Sequence, residues 1–201
     1  MARESTLKNM VLTLFLVCLA TSAMLGGAYI LTKKPIENAT IAKINNSILA
    51  VVPEFDNVPS DEVFTKELNG VGYKVYPARK GDQTVGYAIE SFSNAGFGGR
   101  ISLMVGFDSE GNIVNVSVIS HSETPGLGAK IVDGKSNFSV QFKGKNPVDF
   151  KLSVRKDGGD VDAITASTIT SRAYCGALES AYKIFLMCRE NQEKKEVTNE
   201  Q

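Results

Sequence analysis

Residues 9–32 read NMVLTLFLVCLATSAMLGGAYILT, 24 consecutive positions without a charge. That exceeds the ~20 apolar residues a helix needs to cross the hydrocarbon of a bilayer. Lipid offers no partner for backbone N–H and C=O groups, so a single run of this kind must satisfy them internally, as a helix. The run predicts a transmembrane helix over 9–32, preceded by a short N-terminus of residues 1–8. A cleaved signal peptide is the competing reading, because Thr21-Ser22-Ala23 loosely matches a small-residue cleavage site. The apolar region of such peptides is usually ~7–15 residues, and this one continues past the site, which favours an uncleaved anchor. Cys18 has no good lipobox before it. Arg3 and Lys8 lie on one side of the run and Lys33 and Lys34 on the other, so charge alone leaves the orientation open.

The remainder of the 201 residues has room for one ordinary domain. The chain carries 22 basic and 22 acidic residues; without Arg3, Glu4, Lys8, Lys33 and Lys34 there are 18 and 21, a net of −3. Such a domain has no basic footprint for nucleic acid. From Pro35 to about Val52, Ile36, Ile41, Ile44, Ile48 and Leu49 form an intermittent apolar stripe that predicts a helix stopped by Pro53. Residues 33–70 are read as a helical connector, with a further helical turn around Asp61–Leu68. From Gly72 the period changes to two: Tyr73 and Val75; Val85, Tyr87 and Ile89; Ile101, Leu103, Val105 and Phe107; Val114, Val116 and Val118. These are strands, divided by turns at Lys80-Gly81-Asp82, Gly96-Phe97-Gly98-Gly99 and Asp108-Ser109-Glu110-Gly111-Asn112. The second turn is read as punctuation between strands, with close approach to a ligand as the sharper alternative. Tyr174, Ala177, Leu178, Ala181, Ile184, Phe185 and Cys188 follow at helical steps and define one apolar face. The expected architecture is α+β: an N-terminal transmembrane helix, then a single domain over 71–190 with an antiparallel sheet packed by helices, and a flexible tail over 191–201.

Between Asp162 and Ser171 the chain reads D-A-I-T-A-S-T-I-T-S, five hydroxyls at the start of the final helix. A helix start presents unpaired N–H groups and the positive end of a dipole, which suits a phosphate. It is also what ordinary capping selects, and composition alone favours capping. A second segment, Glu123-Thr124-Pro125-Gly126-Leu127-Gly128, follows a strand. Its proline and glycines force a tight turn where backbone can approach a flat ring, with Leu127 to cover an apolar face and Glu123 and Thr124 for polar contacts. Taken alone, it reads better as a structural turn before a short helix. Other candidates are weaker. Gly134-Lys135-Ser136 lacks the earlier glycine of a P-loop, which would fall at Ala129. His121, the single histidine, has no nucleophile elbow to serve. Asp157, Asp160 and Asp162 break the spacing of a calcium loop, and no metal-ligand cluster is visible. Cys175 and Cys188 would point to different sides of one helix, which gives no support for a disulfide framework.

Both segments resemble motifs of one family, the FMN-binding subunits of Rnf-type electron-transport complexes and of the sodium-translocating NADH:quinone reductase. The first is similar to their flavinylation motif: Asp162 opens it, Thr165-Ala166-Ser167-Thr168 fills the tetrad and Thr170 follows, with Ala166 where Gly is usual and Ser167 where Ala is usual. The second resembles the signature E-T-P-G-L-G. The resemblance implies FMN held covalently through a phosphoester to Thr168, with Glu123, Thr124, Leu127, Gly128, Thr165, Ala166 and Ser167 around the cofactor and Leu127 and Glu123 against its ring. It also implies a flavin transferase that uses FAD as donor. The compact length resembles the FMN-binding member of the Rnf type, with its quinone-reductase counterpart as the alternative. The implied role is electron transfer in a translocase coupling ferredoxin/NAD exchange to Na⁺ or H⁺ movement, among other membrane subunits, without substrate turnover of its own. The implied location is the bacterial cytoplasmic membrane, single-pass, with the C-terminal domain outside the cytoplasm. A non-redox, single-pass exported binding protein is the reading from a different class.

Overall fold

The computed structural model describes residues 6–81, 83–132 and 134–199, with side chains as far as Glu190. The chain divides into two units, residues 1–43 and 44–201. The first is helical from Leu7 onward. Helix α1 runs from Leu7 to Val51 without interruption, through Pro35. A proline inside a helix removes one N–H donor and usually bends or breaks it, but the separate connector helix expected after the anchor is here the same helix. Leu12, Phe15, Leu16 and Leu25 are all more than half exposed. By length and composition α1 is a candidate membrane span.

The second unit is built on five antiparallel strands in sequence order: β1 (Phe64–Leu68), β2 (Val71–Lys80), β3 (Gln83–Gly96), β4 (Gly99–Asp108) and β5 (Ile113–Ser120). Four of these follow the alternation in the sequence. The first does not: the helical turn expected over Asp61–Leu68 is instead β1, paired along its length with β2. The cause lies in the next two residues. Asn69 and Gly70 take φ of 54° and 77°, the double positive φ of the two-residue hairpin turn that Asn-Gly favours. That local signal overrides the i, i+4 spacing of Phe64 and Leu68. The inward phase of β5 also differs from expectation at its start. Phe107 pairs with Ile113 and Gly106 with Asn115, which leaves Val114 as the extra residue of a bulge. Ile113, rather than Val114, is therefore buried. Gly81 and Gly111 take positive φ in the other turns as expected; Asp82 lies outside the described residues.

Helix α2 (Thr168–Asn199) crosses one face of the sheet. Its seven expected apolar positions, Tyr174 to Cys188, are all buried, in one core with Tyr87, Ile89, Leu103, Val105 and Phe107. Full burial of an aliphatic or aromatic side chain is worth about 1.5–3 kcal/mol, so this face dominates the stability of the unit. Cys175, off that stripe, is buried as well. Val154, Val161 and Ile164 join the same core. Beyond Glu190 the backbone stays helical to Asn199, in a stretch rich in Gln, Glu and Lys, which are strong helix formers. The opposite face of the sheet holds a smaller core, in which Ile48, Val51 and Val52 pack on Tyr76, Ala78, Ala88 and Met104. With both faces covered, β4 is buried almost continuously rather than alternately.

Candidate functional site

The site forms where three chain segments converge at one end of the sheet. The first is the Gly96–Gly99 turn between β3 and β4. The second leaves β5 at Ser120. There the Glu123 N–H donates to His121 Nδ1 at 3.1 Å, and Glu123 is buried, only 5% exposed. Thr124 C=O then accepts from the N–H groups of Leu127 and Ala129, each at 3.2 Å, and Gly126 takes φ of 78°. This tight turn ends in a 3-10 turn over Gly128–Ile131. The first two segments are joined by the Gly98 N–H, which donates to Glu123 Oε1 at 3.0 Å.

The third segment is the start of α2. Ser167 is the N-cap residue: its C=O accepts from the Ser171 N–H at 3.0 Å, while its own N–H donates to Ile164 C=O. The Ser171 hydroxyl donates to Ser167 C=O and accepts from the Ile164 N–H, both at 3.0 Å. The Thr170 hydroxyl donates to Glu123 Oε2 at 2.6 Å. Two of the five hydroxyls are therefore buried in structural bonds, which is the capping reading made concrete. Ser167, Thr168 and Thr170 also line a cavity. Between them and the preceding loop stands Ala166 with φ of 60°, a left-handed conformation that costs a residue with a Cβ about 1–2 kcal/mol. Gly at the corresponding place in the family motif adopts it freely.

The loop that delivers this segment is fastened by side chains. Gln141 accepts from the Asp162 N–H at 2.8 Å and donates to its C=O at 3.2 Å. The Asp162 carboxylate pairs with Arg155 at 2.6 Å. Asp157 holds Arg172 with two bonds of 2.7 and 2.8 Å. The hydrogen bond from Arg172 lowers the Asp157 pKa and raises that of the arginine. Asp160 accepts from the Lys151 N–H. Each of the three aspartates thus has a partner within the protein.

The cavity measures about 350 Å³, within the range of small-molecule sites. Glu123, Thr124, Leu127 and Gly128 line it from one turn, and Ala166, Ser167, Thr168, Ile169 and Thr170 from the helix start. Phe97 lines it from the glycine turn. Segments some 40 residues apart in sequence are therefore brought together, while Thr165 and Asp162 lie outside the lining. Phe97 and Ile169 carry no signal of their own in the sequence. The Gly96–Gly99 turn allows for close approach to a ligand, but nothing there assigns Phe97 to a site. Phe97, Leu127 and Ile169 are 71%, 44% and 49% exposed, an apolar rim beside a helix N-terminus. That donor set fits FMN: apolar surface for a flat ring, and N–H groups with a favourable dipole for its phosphate. The Gly134-Lys135-Ser136 segment borders a separate, more open cleft of about 380 Å³. A 3-10 turn precedes it, rather than the strand a P-loop requires.

An FMN-binding domain family matches residues 96–183, a span that begins at the glycine turn, ends within α2 and contains every residue lining the cavity. Longer relatives are proteins named as the G subunit of an ion-translocating oxidoreductase complex. That of Haemophilus influenzae strain PittEE is 36% identical over 178 residues, 85% of this chain and 84% of the relative. Those of Photorhabdus laumondii and Yersinia pestis are 33% and 34% identical, over 87% and 88% of this chain and 88% of each relative. Identity at this level along nearly the full length of both partners places the chain in the family of G subunits of ion-translocating oxidoreductase complexes, with an FMN-binding domain.

Proposed function

We propose that the chain is an electron-transfer subunit that carries FMN covalently on Thr168 within a membrane complex of the Rnf type. The observation that carries this reading is the meeting of the E-T-P-G-L-G turn and the Thr168 helix start around one cavity. FMN, once bound, supplies one- and two-electron chemistry. The chain's own residues hold and orient it: the first turn of α2 receives the phosphate, and Leu127, Phe97 and Ile169 offer apolar contact to the ring. Thr168 gains the cofactor from FAD by way of a separate transferase. In that step the Thr168 oxygen bonds to the FMN phosphorus, the pyrophosphate bond to AMP breaks, and the hydroxyl proton leaves to a base of the transferase. A covalent link suits a domain outside the cytoplasm, where a noncovalent site would slowly empty with little free FMN to refill it.

The apolar span of α1 and the names of the relatives support a place in the cytoplasmic membrane, with the domain on the outer side. There the subunit passes electrons between partners while the complex exchanges electrons between ferredoxin and NAD and moves Na⁺ or H⁺. The relatives' shared name favours this over membership of a sodium-translocating quinone reductase. Ultraviolet fluorescence in a denaturing gel tests the reading, since only covalent flavin survives. The wild-type chain is expected to fluoresce when made with the transferase, Thr168→Ala to be dark, and Ser167→Ala to retain the signal. Fluorescence at full occupancy in Thr168→Ala rejects the acceptor. A dark wild type would reject covalent attachment.

A further inference from the structure

The Glu123 side chain does something the cofactor reading does not require of it. Glu123 as a residue is 5% exposed, and both carboxylate oxygens are engaged within the protein, Oε1 by the Gly98 N–H at 3.0 Å and Oε2 by the Thr170 hydroxyl at 2.6 Å. Among the ion pairs of the described residues none involves Glu123. Burying a carboxylate is costly without such partners, and the short hydroxyl bond is of the strong, charge-assisted kind.

Three glycines on two of the converging segments clear side chains from around it. A Cβ on Gly96 would meet Glu123 Oε1 at 2.6 Å, and one on Gly128 would meet Thr170 Oγ1 at 2.7 Å as well as the carboxylate. A Cβ on Gly98 would run into the Ser122 carbonyl. The glycines that resemble a ligand cradle in the sequence therefore also make room for one buried glutamate.

We propose that Glu123 is a positioning residue for flavinylation, which clasps Thr170 and so sets the first turn of α2 with the Thr168 hydroxyl toward the cavity. At 3.6 residues per turn, Thr168 and Thr170 stand ~200° apart about the helix axis. One bond at Thr170 therefore fixes the rotation of the turn and with it the direction of Thr168. The same bond ties the helix start to the turn carrying Leu127 and, through Gly98, to the turn carrying Phe97, so one carboxylate holds all three walls of the cavity in register. This rests on Thr168 as the acceptor, and it gives Glu123 a role through another residue rather than contact with the ring.

The test uses the full-length chain in membranes with transferase and FAD, following covalent fluorescence in denaturing gels over time alongside the melting midpoint of each variant. Thr170→Val and Glu123→Gln are expected to slow labelling by roughly tenfold to a hundredfold, as small misplacements of a reacting group do. Thr170→Ser, which restores the hydroxyl, should label at close to the wild-type rate. Should valine at 170 leave the chain unfolded at the assay temperature, Glu123→Gln, which keeps the volume, is read in its place. Wild-type labelling in the folded variant, or Thr170→Ser as slow as Thr170→Val, overturns the clasp. So does a slow rate that returns to normal once the assay is run well below the variant's melting midpoint, since that would be plain loss of stability. Label on Thr168→Ala overturns the acceptor assignment itself. Its absence there, together with a wild-type rate in Thr170→Val, overturns only the clasp.

Discussion

Ala166 is strained where the segment most needs a defined shape. With φ of 60° it occupies the left-handed region two residues before the proposed acceptor, and glycine there would remove a penalty of about 1–2 kcal/mol while adding back some entropy to the unfolded chain. Ala166→Gly is therefore expected to raise stability by about 0.5–1 kcal/mol, read as an upward shift of the denaturant midpoint; a downward shift would show that the turn carries no strain. Leu127 offers a second check at this scale. It is 44% exposed on the rim of the cavity, so Leu127→Asp should fold normally and keep its covalent label while shifting the flavin absorbance. An unchanged spectrum would place the ring elsewhere. The hydroxyl-rich stretch also explains why composition alone could not separate capping from chemistry: it does both, with Thr170 and Ser171 bonded to structural partners and Ser167, Thr168 and Thr170 lining the cavity.

At the scale of elements, the end of α1 is part of the domain. Ile48 is 2% exposed and Val51 is fully buried against the sheet, and a Cβ on Gly106 of β4 would strike the Val51 carbonyl. The compact unit begins at Ile44, within residues that the sequence assigns to a connector. Ile48→Ala should cost about 2–5 kcal/mol by leaving a cavity. A chain starting near Pro35 should be soluble and fold, whereas one starting at Pro53 would expose Tyr76, Ala78, Ala88 and Met104 together and aggregate. Equal solubility of the two, measured by gel filtration, would mean that this second core is dispensable. Strand β1 was illegible for a related reason: Phe64 and Leu68 suit either periodicity, and the Asn69-Gly70 turn that decides between them acts only once β2 is there to pair.

For the molecule as a whole, burial sets a limit on alkaline stability. It pushes the Cys175 thiol from 9.0 up to about 12 and the Cys188 thiol up to about 11. Burial, then the charge and hydrogen bond of Glu90, raises Tyr76 to about 12. The native state keeps these protons where the unfolded chain loses them, so the stabilisation is fully present below pH 9 and declines as pH rises through about 11 to about 12. Thermal melts across that window should fall less steeply for a Cys175→Ala, Cys188→Ala double variant than for wild type; equal slopes would assign the loss to other groups. Tethering is the other property of the whole. A domain held at its complex meets partner sites at an effective concentration that can reach ~mM. The exported form starting near Pro35 should therefore take up flavin yet fail to restore electron transfer to cells lacking this subunit, and full rescue would reduce the span to a delivery device. The long apolar helix was legible in the sequence as an uninterrupted run, and four strands and the apolar face of α2 as local periodicities that hydrophobic burial must satisfy wherever the chain goes. The two motifs were legible too, through resemblance, as separate segments. Only the tertiary structure decided that they share a cavity with Phe97, that the Glu123 carboxylate faces Thr170, and that α1 ends inside the domain, because contacts between segments distant in sequence leave no period to read.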